Sequence, residues 1–356
     1  MASRPHKPGR PRAPTPKRKP SPPEPSPTNR SEMLWRHPLL SYAVLETPPI
    51  REFYAQVKFR LVAGGDSCCI PGRFRFGKSK AIGVLRDYLA VEFPHLPVFI
   101  LSCTNTSQSF SREFLASWSD VVRGGLKGTA YGMRERIQHA LIDAALAQES
   151  ERIVLFLDEV QNMRLHELQF LKDIYNSLSF AGIRLLTISV GQDPDLTKNL
   201  EQLGKREDLV KRFFGVKRTF RGIRLGEEVK EIFRTIDGKM LPGSTESWSQ
   251  FFAPKQWADG WRLENEATAF TKALSQCGLV QGDDSATEIA AEVLFSSLRC
   301  YLVLLADSTA TPGSPASAAS SSEALWSAAV REAGVQSNQA SPQRKKGDGD
   351  DSYRPA

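Results

Sequence analysis

Long uninterrupted apolar runs are missing from this sequence. The longest, Ala290 to Ala306, contains Glu292 and Arg299, so it makes a poor membrane span. The first residues lack the apolar segment that a secretory leader needs. Cysteine and histidine are scarce, at 5 each in 356 residues. Cys68, Cys69, Cys103, Cys277 and Cys300 form no C-x-x-C pair and no Cys/His spacing suited to zinc. An odd, scattered set fits a reducing cytosol better than a disulfide framework. These absences lead to the expectation of a soluble, cytoplasmic chain with no membrane partner. Internal repeats are absent as well.

Acidic residues are almost missing from residues 1–30, which hold eight Lys/Arg and ten prolines against Glu24 alone. The formal net charge of +7 therefore resides in this arm, and the remaining body is neutral. An arm without large apolar side chains cannot offset its ordering entropy, so it is expected to be disordered. Its charge suggests an anionic partner, nucleic acid foremost. A solubilising tail with no specific partner is the other reading.

What is present begins with the stretch Ile70 to Ile82, IPGRFRFGKSKAI. Gly72, Gly77, Lys78 and Ser79 fit G-x-x-x-x-G-K-[ST]. In such a loop backbone N–H groups turn inward on an anion, the lysine meets the outer phosphates and the hydroxyl reaches Mg²⁺. The motif needs a strand before it and a helix after it. Ser67 to Ile70 reads as a short buried strand. Ala81, Ile82, Val84, Leu85, Tyr88, Leu89 and Phe93 recur as one face of a helix. The expected nucleotide-binding set is Gly72, Arg73, Phe74, Arg75, Phe76, Gly77, Lys78, Ser79 and Lys80. Phe74 and Phe76 are expected to pack beneath the loop, and Arg73 and Arg75 to face solvent or a neighbouring subunit.

Further along, Pro97–Cys103, Arg152–Glu159, Ile183–Val190 and Val216–Leu225 read as strands. Helices are expected at 50–62, 111–122, 131–148, 165–180, 195–214 and 226–236. This alternation is the signature of a parallel α/β sheet flanked by helices. Residues 31–65 read as an N-terminal adaptor, 66–240 as the core and 241–306 as a small helical C-terminal region. Residues 307–356 read as a largely disordered tail, with a short helix conceivable at Ser322–Glu332.

The second nucleotide signal is Asp158-Glu159, two acids at the end of a continuously apolar strand. One carboxylate can hold Mg²⁺ near Ser79, and the other can polarise a water for attack on the γ-phosphate. Ser79 and Asp158 are thus the expected metal-side residues and Glu159 the catalytic base. Small-molecule kinases have no need of that glutamate. The sequence has neither an LSGGQ-like transporter signature nor an N-K-x-D base reader. What remains is an ATP-hydrolysing P-loop protein of the AAA+ kind.

The loop Gly72 to Ser79, the run Leu155-Phe156-Leu157-Asp158-Glu159-Val160-Gln161-Asn162 and the run Ile188-Ser189-Val190-Gly191-Gln192 resemble the AAA+ ATPases that regulate bacterial DNA transposition (the TniB/TnsC type). The resemblance covers about residues 40–236. It implies an AAA+ P-loop NTPase fold that binds ATP and Mg²⁺ in a site shared between subunits, within an ATP-dependent ring or filament. It also implies double-stranded DNA and a transposase as partners, and an adenine pocket in Leu39 to Ile50. Gln192 best matches the polar residue that orients the attacking water, with Ser189 second. Arg212 matches the arginine lent to a neighbouring subunit's nucleotide. An ordinary helix-end cation is the alternative for Arg212, and a turn residue for Gln192. A nucleotide-switched signalling ATPase acting on a protein partner also stays open.

Overall fold

A computed structural model of the chain describes residues 30–41, 43–103, 110–118, 128–204, 206–280, 286–310 and 321–334. Residues 1–29 of the expected basic arm lie outside those residues. None of the helices formed by the described residues is long and apolar enough to cross a membrane.

The chain enters through α1 (Arg30–Arg36) and α2 (Pro48–Val62). Pro48 and Pro49 sit in the first turn of α2, where their missing N–H groups cost nothing. Then β1 (Ser67–Gly72) leads through the phosphate loop into α3 (Lys78–Glu92). β2 (Val98–Ser102), α4 (Phe110–Ser117) and α5 (Ala130–Ala147) precede β3 (Arg152–Asp158). A 3₁₀ turn (Val160–Asn162) joins β3 to α6 (Leu165–Phe180), and β4 (Arg184–Gln192) follows. The single helix expected over 195–214 is two, α7 (Asp195–Leu203) and α8 (Glu207–Phe214), with the helix-weakening Gly204 after the first.

β1, β4, β3 and β2 form a parallel sheet in that order. Segment 216–220 extends it by running parallel to β1. Cys69 N donates to Val216 O at 2.7 Å, Arg218 N to Cys69 O at 2.8 Å and Phe220 N to Pro71 O at 2.8 Å. The rest of the strand expected over 216–225 is β5 (Ile223–Arg224). It pairs antiparallel with β6 (Glu288–Ile289), away from the main sheet.

Strand alternation divides the sheet's side chains between two cores. Val154, Phe156, Ile188 and Val190 face α2 and α3. Ile153, Leu155, Leu157 and Leu185 face α4 to α8. In α3 the buried Ala81, Ile82, Leu85 and Leu89 recur at helical spacing. Each large apolar side chain so buried contributes about 1.5–3 kcal/mol.

The C-terminal elements extend the first core. They are α9 (Glu227–Gly238), α11 (Ala267–Gln276), α12 (Ala291–Ala310) and α13 (Ser322–Glu332), while the short α10 (Pro254–Ala258) buries none of its residues. The irregularly spaced aromatics after 240 have a use here. Trp248, Phe251 and Phe252 surround the buried ring of His37, whose Nδ1 accepts the Leu39 N–H and whose Nε2 donates to Trp248 O at 3.1 Å. The adaptor is thereby fastened to the C-terminal region.

Within the tail expected from residue 307, the short helix conceived at Ser322–Glu332 forms with those bounds as α13. α12 runs on to Ala310, and α13 is packed rather than loose. Its Trp326 is fully buried, stacks on Tyr301 of α12 at 3.8 Å and lies 5.8 Å from Phe233 of α9. Its indole N–H donates to the Glu266 carboxylate at 3.1 Å. The segment's Ser/Ala-rich composition hides this, because one tryptophan supplies most of the anchor.

Candidate functional site

The C-terminal ends of the parallel strands bring the expected residues to one edge of the sheet, as in open α/β sheets generally. At the end of β1, Gly72 has to be glycine. A Cβ there would meet Phe220 O at 2.9 Å and the Lys78 side chain at 3.1 Å. Gly77 adopts φ +96° and directly precedes α3, so the loop's N–H groups converge at a helix N-terminus, a ready anion site.

Lys78 is buried, and its ammonium donates to the carbonyls of Gly72 at 3.0 Å and Arg73 at 2.8 Å. Burial pulls its pKa below the ordinary lysine value, while Glu159, Asp158 and Asp193 push back. A cation held this way is short of anionic ligands, and a phosphate would satisfy it. Asp158 accepts a hydrogen bond from the Ser79 hydroxyl; burial lifts its carboxyl above the usual range, and that bond opposes the lift. Ser79 and Asp158 thus supply adjacent hard oxygen donors of the kind Mg²⁺ takes beside phosphates. Three or more His, Cys, Asp or Glu in metal-binding arrangement occur nowhere among the described residues. Lys80 and Phe76 line a cavity of about 400 Å³ beside the loop. Leu39, Val44, Leu45 and Ile50 from the adaptor and Phe295 from α12 give it an apolar wall. It coincides with the segment in which an adenine pocket was expected.

Two loop residues depart from expectation. Phe74 is 56% exposed rather than tucked under the loop. Arg75 takes φ +60°, which turns the chain at the apex, and its guanidinium lies 4.8 Å from the Phe74 ring centre. Arg75 is also not merely solvent-facing, since it pairs with Glu292 of α12 at 2.9 Å. Phe76 packs inward as expected, and Arg73 is exposed.

Glu159 follows β3 in a left-handed conformation at φ +55° and ψ +39°. Gln192 ends β4 in register with Gly72. Alternation puts it on the same face as Val190, the phosphate-loop side. Ser189 points to the other face and donates its hydroxyl to Phe213 O at 3.0 Å, which removes it as a water-orienting group. Arg212 lies in the last turn of α8, with its guanidinium 4.5 Å from the Tyr175 ring centre and donating to Asn176 Oδ1 at 3.1 Å. Both partners are on α6, and no contact among the described residues joins Arg212 to its own chain's phosphate loop.

Three nearby residues escaped sequence reasoning. Asp193 acts electrostatically on Lys78 and accepts a hydrogen bond from Thr197 at 2.9 Å. Gln161 contacts both Glu159 and Gln192. Asn199 donates to the carbonyls of Gln161 and Met163. Gln161 was visible only as part of an Asp-Glu-x-Gln signature, and Asn199 carried no signal.

Residues 63–200 match the family profile described as an AAA domain. Among solved structures, the chain is similar to the Aeropyrum pernix ORC2 protein in its ADPNP–ADP complexes. The TM-score is 0.51 at 16% identity, covering 81% of this chain and 68% of that one. It is more loosely similar to Drosophila ORC bound to DNA, with a TM-score of 0.47 at 12% identity, covering 90% of this chain and 68% of that one. At these identities the likeness concerns the fold. No curated protein matches the chain significantly in sequence. The profile, the parallel sheet and the ORC2 similarity agree on an AAA+ P-loop NTPase fold.

Proposed function

We propose that this AAA+ chain is an ATPase that assembles with bound ATP on double-stranded DNA, marks it as a transposition target and recruits a transposase. Hydrolysis then disassembles it. The observation that carries the ATPase part is the grouping of buried Lys78, the Ser79–Asp158 pair and an apolar cavity around one helix N-terminus. The DNA and transposition parts rest on the resemblance of the three motifs and on the basic arm of residues 1–30.

In this reading the loop N–H groups and Lys78 bind the β- and γ-phosphates, and the cavity takes the adenine. Mg²⁺, held by Ser79 and Asp158, would supply charge neutralisation at those phosphates. Glu159 accepts the proton of the attacking water while Gln192 orients it. Arg212 reaches the nucleotide of a neighbouring subunit, a contribution worth about 10³–10⁵ in rate where such fingers act. Its hold on Tyr175 and Asn176 presents it from a rigid helix end.

The test is fluorescence anisotropy with labelled duplex DNA, with ATP or ADP, across a salt series. Glu159→Gln should retain ATP, stay on DNA and hydrolyse about 10² or more times slower. Affinity should fall steeply with salt and drop when residues 1–30 are removed. Absence of ATP-dependent DNA binding at low salt would refute the DNA reading, and normal hydrolysis by Glu159→Gln would refute the base.

A further inference from the structure

We infer that Gln161 is a positioning residue for hydrolysis, whose side-chain amide fixes the Glu159 carboxylate against the end of β4. The inference rests on the reading of Glu159 as the base. The amide is used at both ends. Its Nε2 donates to Glu159 Oε2, and its Oε1 accepts the Gln192 backbone N–H at 3.0 Å. A backbone N–H can only donate, so it dictates which end of the amide faces β4. The NH₂ end must then face the carboxylate, which when ionised can only accept. Turning the amide round would set donor against donor and acceptor against acceptor. One glutamine thus holds a defined orientation, occupies one oxygen of Glu159 and leaves the other for a water.

The surroundings are shaped to this contact. A Cβ at Gly191 would lie 3.0 Å from Gln161 Oε1 and 2.9 Å from a Leu196 methyl. A side chain at Gly191 would crowd the space in which the amide sits. The turn carrying Gln161 is also tied down from several sides. Asn199 of α7 donates to the carbonyls of Gln161 at 2.5 Å and Met163 at 3.0 Å. Asn162 donates to Cys103 O, just past β2, at 2.9 Å. Glu159 itself occupies a left-handed conformation that is strained for a non-glycine residue and persists only where its neighbours over-determine it. These ties supply that constraint. The base and the strand end bearing Gln192 are therefore bridged by a single side chain.

The experiment uses the full chain with ATP, Mg²⁺ and duplex DNA, and reads kcat, KM, the Kd of a fluorescent ATP analogue and Tm. Gln161→Glu keeps an oxygen for the Gln192 N–H but replaces the donor on Glu159 with a like charge. It separates positioning of the base from simple support of the turn. The expected result is a kcat about 100-fold lower with KM and analogue Kd within about 2-fold. Gln161→Leu, added to Glu159→Gln, should cause no further loss in the residual rate, because Gln161 acts through Glu159. Three results overturn the inference: Gln161→Glu turning over within about 3-fold of the unsubstituted chain, losses that multiply in the double variant, or a fall in kcat matched by weaker analogue binding. Normal hydrolysis by Glu159→Gln is a separate result, which removes the base assignment and this inference with it.

Discussion

Truncating Trp326 to alanine tests whether α13 belongs to the working core. The indole is fully buried between Tyr301 and Phe233, 3.8 Å and 5.8 Å away, with Phe270 at 5.0 Å. Trp→Ala changes at such sites cost about 3–5 kcal/mol. The Glu266 carboxylate also loses one donor, but it keeps Trp261 Nε1 at 2.8 Å and the Ser322 hydroxyl, so it is not orphaned. A total of about 4 kcal/mol follows, and at about 2–4 °C per kcal/mol it lowers Tm by about 8–16 °C. Trp326→Phe keeps a stacked ring and loses mainly the N–H donor, at about 1–2 kcal/mol. Tyr301 lies on α12, whose Glu292 and Phe295 line the cavity beside the phosphate loop. Loosening α12 should therefore weaken ATP-analogue binding in parallel with the Tm loss. Thermal melts and analogue titrations of both variants, and of a chain ending at residue 320, provide the measurements. A truncated chain that melts and binds like the full chain would refute the reasoning.

Asp158→Asn should raise the Tm of the nucleotide-free protein at neutral pH while abolishing Mg²⁺-dependent hydrolysis. A carboxyl raised by burial is a charge that the fold disfavours. Its cost is present at neutral pH and is relieved as pH falls through the raised folded value towards the ordinary carboxylate value, so the amide removes it. A lower Tm would contradict this. Arg212→Ala and Lys78→Ala should each be inactive alone, and mixing them should restore part of the hydrolysis, because one supplies nucleotide and the other the arginine. No recovery on mixing would argue against a shared site. Arg75→Ala breaks a half-exposed ion pair to Glu292, so its stability cost should stay below about 1 kcal/mol. Nucleotide should nonetheless dissociate faster in stopped flow, and an unchanged rate would detach α12 from the site.

The main sheet was legible because periodicity and motif spacing are local properties. β3 reads as buried on both faces from its unbroken apolar run, and α6 occupies the expected 165–180. The phosphate loop announces its own chemistry. What stayed hidden depends on contacts between distant residues. Arg75 meets Glu292 across more than two hundred positions, Trp326 meets Tyr301 and Phe233, and Asn199 reaches back to the turn after β3. The outward placement of Phe74 turns on one left-handed residue, Arg75, where nothing in side-chain type signals the conformation. Gln161 was seen as a letter in a motif. Its chemistry needed the end of β4 to be brought alongside.

The two faces of the sheet have different neighbours, and this has a genetic consequence. The cavity, α3 and α12 belong with one face; α6 and α8, carrying Tyr175 and Arg212, belong with the other. Under the shared-site reading, a lesion on the first side yields a subunit that cannot hold nucleotide but still offers its arginine. A lesion on the second yields one that holds nucleotide and lends nothing. Alleles of the first kind should complement alleles of the second when co-expressed, and fail against their own kind. A single reading frame would then behave as two complementation groups, with the sheet as the boundary between them.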